Sequence, residues 1–351
     1  MCLRRADIEA LDPHQTRVSQ LALDQDWLVY GPAGTGKTII ALNRLARLRQ
    51  LQPEGGHAYV SFSKVLKEWV SQAATEMGVH GCIASYDQMI FPMVASAINV
   101  KVPKLDDNWT IDWEKVIPLL AGQSTERRLP RQRTLIVDEA QDLPIGFFRA
   151  CKFFFSRIFV LMDEHQKTQF LADSRRLDVA AALGIDEAHQ LMLRINYRNP
   201  REIKELSETF FEGEAREVAD LPPENLQRRV EGRPSLLFLP FVTRDGAQSQ
   251  VQRILEHCAD RPDRAVLVVA PAAGAVERVH AGIVAAAAEH PRLQNRAGWS
   301  ARRYVPRKHH PVDADLCGPG IVVSTALNTK GTEFDAVFLV DWHLSVYISV
   351  C

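Results

Sequence analysis

Residues 31–38 carry the most specific chemical signal in this sequence. They read Gly-Pro-Ala-Gly-Thr-Gly-Lys-Thr, which fits the pattern Gly-x4-Gly-Lys-Thr of a phosphate-binding loop. The glycines let the backbone pass close to phosphate oxygens, so that successive N–H groups form an anion nest. We expect Lys37 to contact the β and γ phosphates and Thr38 to bind Mg²⁺. The predicted phosphate-binding set is Gly31, Pro32, Ala33, Gly34, Thr35, Gly36, Lys37 and Thr38.

Two adjacent carboxylates, Asp138 and Glu139, follow the apolar run 134–137. Such a run is typical of a central parallel strand that is buried on both faces. Ligands of open α/β sheets bind at the carboxyl ends of the strands. We therefore predict that Asp138 holds Mg²⁺, directly or through water, and that Glu139 polarises the attacking water. The simpler interpretations are a glycine-rich turn before an ordinary helix and a solvated strand end.

The elements around these residues favour an α/β fold. An apolar strand precedes the loop, and residues 39–48 after it have helical apolar spacing. Strand-like and helix-like segments then alternate, which predicts doubly wound parallel sheets. Helices are expected near 201–218 and 272–288. The predicted strands are 27–30, 57–62, 82–86, 134–138, 157–162, 190–195, 236–240, 265–270, 321–325 and 336–341.

Bulk composition describes a globular protein with two domains. The chain has 351 residues, of which 46% are hydrophobic and 24% charged, and its formal net charge of −1 gives no global signal for nucleic acid. The six cysteines form no Cys-x-x-Cys pair, which argues against a zinc ribbon or a disulfide scaffold and suits a reducing cytoplasm. Neither a signal peptide nor a long apolar segment is evident, so we expect a cytoplasmic protein without a membrane partner.

The order of the motifs resembles the UvrD/Rep-like helicases of superfamily 1, over about residues 8 to 341. The phosphate-binding loop and residues 135–142, Leu-Ile-Val-Asp-Glu-Ala-Gln-Asp, are the most specific elements. Residues 196–198, Asn-Tyr-Arg, resemble a motif that meets both adenine and the γ-phosphate. The other similar segments are 11–15, 59–64, 85–88, 160–166 and 324–334.

The resemblance implies ATP and Mg²⁺ as cofactors, bound between two RecA-like motor domains. It implies that Gln15 reads the adenine edge, that Tyr197 stacks on adenine, and that Lys330 and Glu333 approach the nucleotide from the second domain. The implied catalytic residues are Lys37, Glu139, Gln166 and Arg198. The implied nucleic-acid contacts are Phe62, Ser63, Lys64, Tyr86 and Thr325.

The domain prediction follows from the same motifs. The first motor domain covers residues 1–197, with a small insertion at about 99–131. A linker covers 198–234, and the second motor domain covers 235–351. The expected function is that of an ATP-dependent translocase or helicase acting on single-stranded nucleic acid, with DNA as the expected partner. Two alternatives remain: an ATP-binding switch with slow hydrolysis that works through a partner nuclease or effector, and a non-catalytic remnant.

The sequence departs from the family pattern at several positions. Phe170 and Leu171 occupy the stretch where relatives carry a base-stacking aromatic, often Trp. Leu327 stands where relatives have His, and Thr332 where they have Leu. The sequence stops at Cys351, before the family's last motif would supply a second arginine. We therefore expect an incomplete second domain. A missing arginine should lower the rate of ATP hydrolysis more than the affinity for ATP, so we predict ATP binding before rapid hydrolysis.

Two aromatic segments allow two interpretations each. Trp109 and Trp113 either stack on bases or anchor the insertion onto the core. Residues 299–310 combine four formal positive charges with Trp299 and Tyr304. They form either a base-stacking, phosphate-contacting segment or a solvated basic loop.

Overall fold

The computed structural model describes residues 11–62, 64–79, 81–105, 110–126, 132–163, 174–198, 201–209, 246–305, 318–330, 332 and 334–340. The chain divides into two compact units. Among the described residues, the first unit runs from 11 to 198, and the second holds 201–209 and everything from 246 onward. Ser63, Trp109, Gln166, Phe170, Leu171, Glu333, Cys351 and the predicted strand 236–240 lie outside the described residues.

The first unit is built on a six-stranded parallel sheet in the order β3-β2-β4-β5-β1-β6. The strand that leads into the phosphate-binding loop, β1, and the strand that leads into the carboxylates, β4, are not neighbours. Instead β5 lies between them and pairs with both. The strands are β1 (Trp27–Tyr30), β2 (His57–Ser61), β3 (Ile83–Ser85), β4 (Gln132–Asp138), β5 (Phe155–Met162) and β6 (Gln190–Met192).

Helices alternate with these strands because each parallel pair needs a crossover connection. The first helix starts at Pro13, whose fixed φ suits an N-terminal helical position, and Asp12 caps it. The second starts directly after Gly36. The helices are α1 (Pro13–Ser19), α2 (Lys37–Leu51), α3 (Lys64–Glu76), α4 (Tyr86–Ile98), α5 (Trp113–Glu126), α6 (Ile145–Phe154) and α7 (Arg176–Leu183).

One continuous apolar core joins the inner strands to α4, α5, α6 and α7. Leu135, Val137 and Val160 are fully buried in it, as expected for strands covered on both faces. Trp113 packs at the start of α5 against Gly146 of α6, where an added Cβ would lie 2.1 Å from the indole. This close approach fits the interpretation of Trp113 as an anchor.

The second unit contains a smaller, four-stranded parallel sheet in the order β10-β7-β9-β8. Its core joins α9 and α10 to the apolar strands, with Val268, Ile283 and Val323 fully buried. Its elements are α8 (Arg201–Thr209), α9 (Gly246–Asp260), β7 (Ala265–Val269), α10 (Ala273–Glu289), β8 (Ser300–Arg303), β9 (Gly320–Ser324) and β10 (Ala336–Leu339).

The two parallel sheets confirm the predicted α/β fold. Strand β8 and helix α5 were not predicted from the sequence. Strand β8 lies in the basic segment 299–310, where Arg302 and Arg303 hide its apolar pattern. Helix α5 lies in the predicted insertion and contains Pro118, a residue that is disfavoured inside helices. None of the helices in the described ranges is both long and apolar enough to cross a bilayer.

Candidate nucleotide and magnesium site

The phosphate-binding loop joins the carboxyl end of β1 to the first turn of α2. Gly34 and Gly36 have φ values of 81° and 82°, in the left-handed region that favours glycine. An added Cβ would lie 2.2 Å from Asn196 Oδ1 at Gly34 and 2.3 Å from Gln15 Nε2 at Gly36. The positive φ values therefore favour glycine at both positions, and a side chain there would also displace the Asn196 or Gln15 side chain. The loop ends at the N-terminus of α2, whose free N–H groups favour anions.

Lys37 is buried at the first turn of α2, and its amine turns back toward the loop. Nζ donates to the carbonyl oxygens of Gly31 at 2.8 Å and Pro32 at 3.0 Å. It also lies 3.7 Å from Oδ2 of Asp163, at the end of β5. The ammonium group is thus held close to the loop by oxygen acceptors.

Thr38 and Asp138, the predicted magnesium ligands, are in contact although 100 residues separate them in the chain. The Thr38 hydroxyl donates to Asp138 Oδ2 over 2.7 Å. Oδ1 of the same carboxylate accepts the backbone N–H of Glu139 at 3.0 Å. Asp138 is completely buried. Burial, followed by the nearby Glu139 carboxylate, raises the pKa of Asp138, while the hydrogen bonds from Thr38 and Tyr59 act in the opposite direction.

Glu139 has an unusual backbone for a residue other than glycine, with φ 52° and ψ 44°. Such a conformation costs on the order of 1–3 kcal/mol and is concentrated at functional sites. Its Oε2 accepts a hydrogen bond from Nε2 of the buried Gln141 at 2.5 Å. Gln141 Oε1 in turn accepts the N–H of Asp163 at 3.0 Å. Gln141 therefore fixes Glu139 against the end of β5, a role that the sequence did not assign.

Gln15 is buried beside the loop, at the start of α1. Its Nε2 donates to the Thr35 carbonyl over 3.3 Å, and its Oε1 accepts the Asp12 N–H at 3.4 Å. Both ends of the amide are thus engaged by the protein. The second N–H of Nε2 and the second lone pair of Oε1 are the groups that would read adenine, the predicted role.

Residues 196–198 lie directly against the loop. The Tyr197 N–H donates to the Gly34 carbonyl over 2.7 Å. Asn196 Oδ1 accepts the N–H of Arg198 at 3.1 Å, which shapes the turn. Tyr197 and Arg198, predicted to meet adenine and the γ-phosphate, therefore share a backbone contact with the phosphate-binding loop.

Arg44 is a buried cation of α2 that the sequence analysis did not single out. Its guanidinium donates to the carbonyl oxygens of Leu21 and Ala22 at 2.8 Å each, and lies 4.2 Å from the ring centroid of Phe159. Burial, with a smaller effect from Arg47, lowers the pKa of Arg44. Arg44 ties the chain between α1 and β1 to the helix that follows the loop. No motif marks this role in the sequence.

The predicted nucleic-acid residues of the first unit follow β2 and β3. The rings of Phe62 and Tyr86 are 6.5 Å apart, and Tyr86 packs edge-on against Phe147. Burial raises the pKa of Tyr86. Lys64 begins α3, but its side chain is not among the described groups. Phe62 and Tyr86 thus form a half-buried aromatic pair at one edge of the first sheet.

The second unit holds the remaining predicted residues. Thr325 follows β9, and its carbonyl accepts the Thr329 hydroxyl at 3.2 Å. Lys330 lies directly after this short turn. Leu327 is 59% exposed. Tyr304 is buried, so its ring offers no open face for base stacking.

No family model and no curated protein matches this sequence. Among solved structures, the chain is similar to Pif1 helicase from Candida albicans. The identity is 16%, 70% of this chain and 54% of that chain are covered, and the TM-score is 0.38. It is also similar to the DUF1998 helicase MrfA bound to DNA. The identity is 12%, 94% of this chain and 44% of that chain are covered, and the TM-score is 0.45. The chain spans about half the length of these two structures. Both likenesses are too weak to carry an argument about function.

Proposed function

We propose that this protein binds ATP with Mg²⁺ at the first unit and hydrolyses it to drive movement along single-stranded DNA, as a UvrD/Rep-type motor. The observation that carries the proposal is the contact between Thr38 and Asp138. It joins the end of a phosphate-binding loop to a carboxylate on a non-adjacent strand. A glycine-rich turn or a solvated strand end gives no reason for such a contact.

The donor set fits a hard cation. Mg²⁺ prefers oxygen ligands and is commonly held by one or two protein oxygens together with phosphates and water. The Thr38 hydroxyl and the Asp138 carboxylate supply two such oxygens within hydrogen-bonding distance of each other. When bound, Mg²⁺ neutralises charge that develops on the phosphate oxygens. Residues 31–38 would hold the phosphates, and Lys37 would add positive charge next to them.

Glu139 is the proposed group that orients and activates water. Its carboxylate is held by Gln141, and its strained backbone fixes where that carboxylate lies. A positioned base typically contributes about 10²- to 10⁴-fold to a rate. Gln15 and Tyr197 would hold adenine, while Gln166 and Arg198 would respond to the γ-phosphate. From the second motor domain, Lys330 and Glu333 are proposed to reach the nucleotide.

Coupling to nucleic acid is assigned to the edge that carries Phe62 and Tyr86, with Ser63, Lys64 and Thr325 as further proposed contacts. Aromatic rings bind single strands by stacking on bases, at about 1–3 kcal/mol per base. The proposed motor domains are 1–197 and 235–351, with 198–234 as the linker. Each ATP cycle would shift the grip on the strand.

The first test is steady-state ATP hydrolysis with and without single-stranded DNA, for the wild type and for Lys37→Ala. A DNA-stimulated rate that Lys37→Ala lowers by at least about 100-fold supports the motor, because the variant removes a charge next to the phosphates. The matched control is Lys67→Ala, which removes a lysine of α3 that pairs with the neighbouring exposed Glu68. A wild-type rate that DNA does not change contradicts the motor.

A regulatory switch is the second candidate function, acting through a partner nuclease or effector. The exposed Leu327 favours it. The UvrD/Rep-like pattern has His at this position, and an exposed apolar side chain suits contact with a partner protein better than contact with a nucleic-acid strand. In that case ATP binds, and Lys37→Ala abolishes binding, but single-stranded DNA does not accelerate the slow turnover.

A further inference from the structure

Tyr59 makes a buried hydrogen bond to the proposed magnesium ligand that no motif predicts. Its side chain is completely buried in β2, and its hydroxyl donates to Asp138 Oδ2 over 2.8 Å. Strand register explains the contact. Tyr59 and Ser61 lie on one face of β2, and Ser61 is paired with Asp138 on β4. The Tyr59 hydroxyl therefore reaches the carboxylate on the same face of the sheet.

Asp138 accepts hydrogen bonds from three donors in the described residues, and these donors differ in whether they can also bind a metal. The Glu139 N–H is fixed by the backbone. The Thr38 hydroxyl has one hydrogen and two lone pairs, so it can donate to Asp138 and bind a metal at the same time. The Tyr59 hydroxyl is buried at the carboxylate and points at the same Oδ2 as Thr38.

We propose that Tyr59 is a positioning residue for magnesium: it fixes the orientation of the Asp138 carboxylate so that an oxygen and Thr38 together face the metal. This inference rests on the proposed ATP·Mg²⁺ site. Groups that hydrogen-bond a metal ligand without touching the metal typically change metal affinity about 10- to 100-fold when removed. If the hydrogen bond served only to pair the buried Tyr59 hydroxyl, removing that hydroxyl would change stability and leave metal affinity unchanged.

The test is Tyr59→Phe, which removes one oxygen and keeps the ring. Mn²⁺ serves as the probe in place of Mg²⁺, and its binding to the protein–ADP complex is measured by electron paramagnetic resonance. We expect Mn²⁺ affinity to fall about 10-fold, while fluorescent ADP binding in excess EDTA stays within about twofold. The matched control is Tyr304→Phe, the same change at a buried tyrosine of the second unit. Equal Mn²⁺ affinity in wild type and Tyr59→Phe overturns the proposal.

A second measurement tests the proposal even if Tyr59→Phe makes the protein less stable. The urea midpoint is determined with saturating ADP, with and without Mn²⁺, and the metal-dependent increase is compared within each protein. The increase should be smaller for Tyr59→Phe than for wild type, and an equal increase contradicts the positioning role. If wild type itself binds neither ADP nor Mn²⁺, the proposed function fails, which distinguishes that outcome from a failure of Tyr59 alone.

Discussion

The two units share a parallel-sheet architecture but differ in what lies at the carboxyl ends of their strands. In the first unit, β1 ends in the phosphate-binding loop and β4 ends in Asp138 and Glu139. In the second, the described residues that follow β7 and β9 contribute hydroxyls and small apolar groups without a carboxylate. Ser324, for example, donates to the Tyr304 carbonyl over 2.7 Å. The sheet determines where a site can lie, and the residues at its edge determine whether chemistry occurs there.

The units also differ in the charge that they bury. The first buries Lys37, Arg44, Asp138 and Asp163, whereas the buried polar residues described in the second are Ser324 and Thr329. Burying a charge is costly unless it is paired or hydrogen-bonded. The first unit therefore depends on specific polar contacts that the second does not need, and four predictions test this contrast.

The largest effect should come from Glu139→Gln. We expect ATP turnover to fall by about 10²- to 10⁴-fold, because the amide cannot accept a proton, while ATP binding is retained. Glu187→Gln, at an exposed carboxylate of the same unit, should leave turnover unchanged. The measurement is ATP hydrolysis beside equilibrium binding of fluorescent ATP. Turnover in Glu139→Gln within about threefold of wild type would remove Glu139 from its proposed role.

Arg44→Met should destabilise the first unit by about 2–6 kcal/mol. The change leaves the carbonyl oxygens of Leu21 and Ala22 without their charged donor, at about 1–3 kcal/mol for each buried group. The matched change in the second unit is Arg278→Met on the exposed face of α10, expected to stay within about 0.5 kcal/mol. Urea unfolding followed by hydrogen exchange assigns the loss to a unit. Equal losses in both variants would show that Arg44 contributes no more than a surface residue.

A pair of glycine substitutions should act in opposite directions. Gly36→Ala places a Cβ 2.3 Å from Gln15 Nε2 at a positive φ, so we expect weaker ATP binding and a loss of about 1–2 kcal/mol. Gly282→Ala, in the interior of α10, meets nothing closer than 3.9 Å and should stabilise the second unit by about 0.5–1 kcal/mol. Thermal unfolding and ATP titration check both. Unimpaired ATP binding by Gly36→Ala would show that the loop tolerates a side chain.

The smallest effect concerns pH and His57, which is buried at the start of β2. Burial lowers the pKa of His57 below its ordinary value of 6.5, and Arg133 and Arg49 act in the same direction. Below that value the unfolded chain takes up a proton that the folded state resists, so the stability of the first unit should fall as pH drops through this range. The urea midpoint at about pH 7.5 and about pH 5.5 measures the loss. His57→Gln should reduce it, and an unchanged difference would mean that other groups cause it.

The sequence predicted the strands of the first sheet well where local composition was decisive. The predicted strand 134–138 became Gln132–Asp138, and 157–162 became Phe155–Met162, because long β-branched and aromatic runs leave few alternatives. Strand β8 and helix α5 were missed, since in each case the local pattern was overridden by packing. Trp113 illustrates this point: its contact is with Gly146, which lies 33 residues later in the chain, on another helix.

What the sequence by itself determined was which residues to propose for the chemistry: a predicted phosphate-binding loop, two predicted Mg²⁺ ligands and a candidate base, chosen by residue type within two short segments of the chain. What only the tertiary structure decided was how these groups are held. The contacts of Tyr59 and Thr38 with Asp138, of Gln141 with Asp163, and of Arg44 with Leu21 join segments that are 22 to 100 residues apart. Such contacts depend on strand order and register, which are properties of the packed sheet and leave no mark in the local sequence.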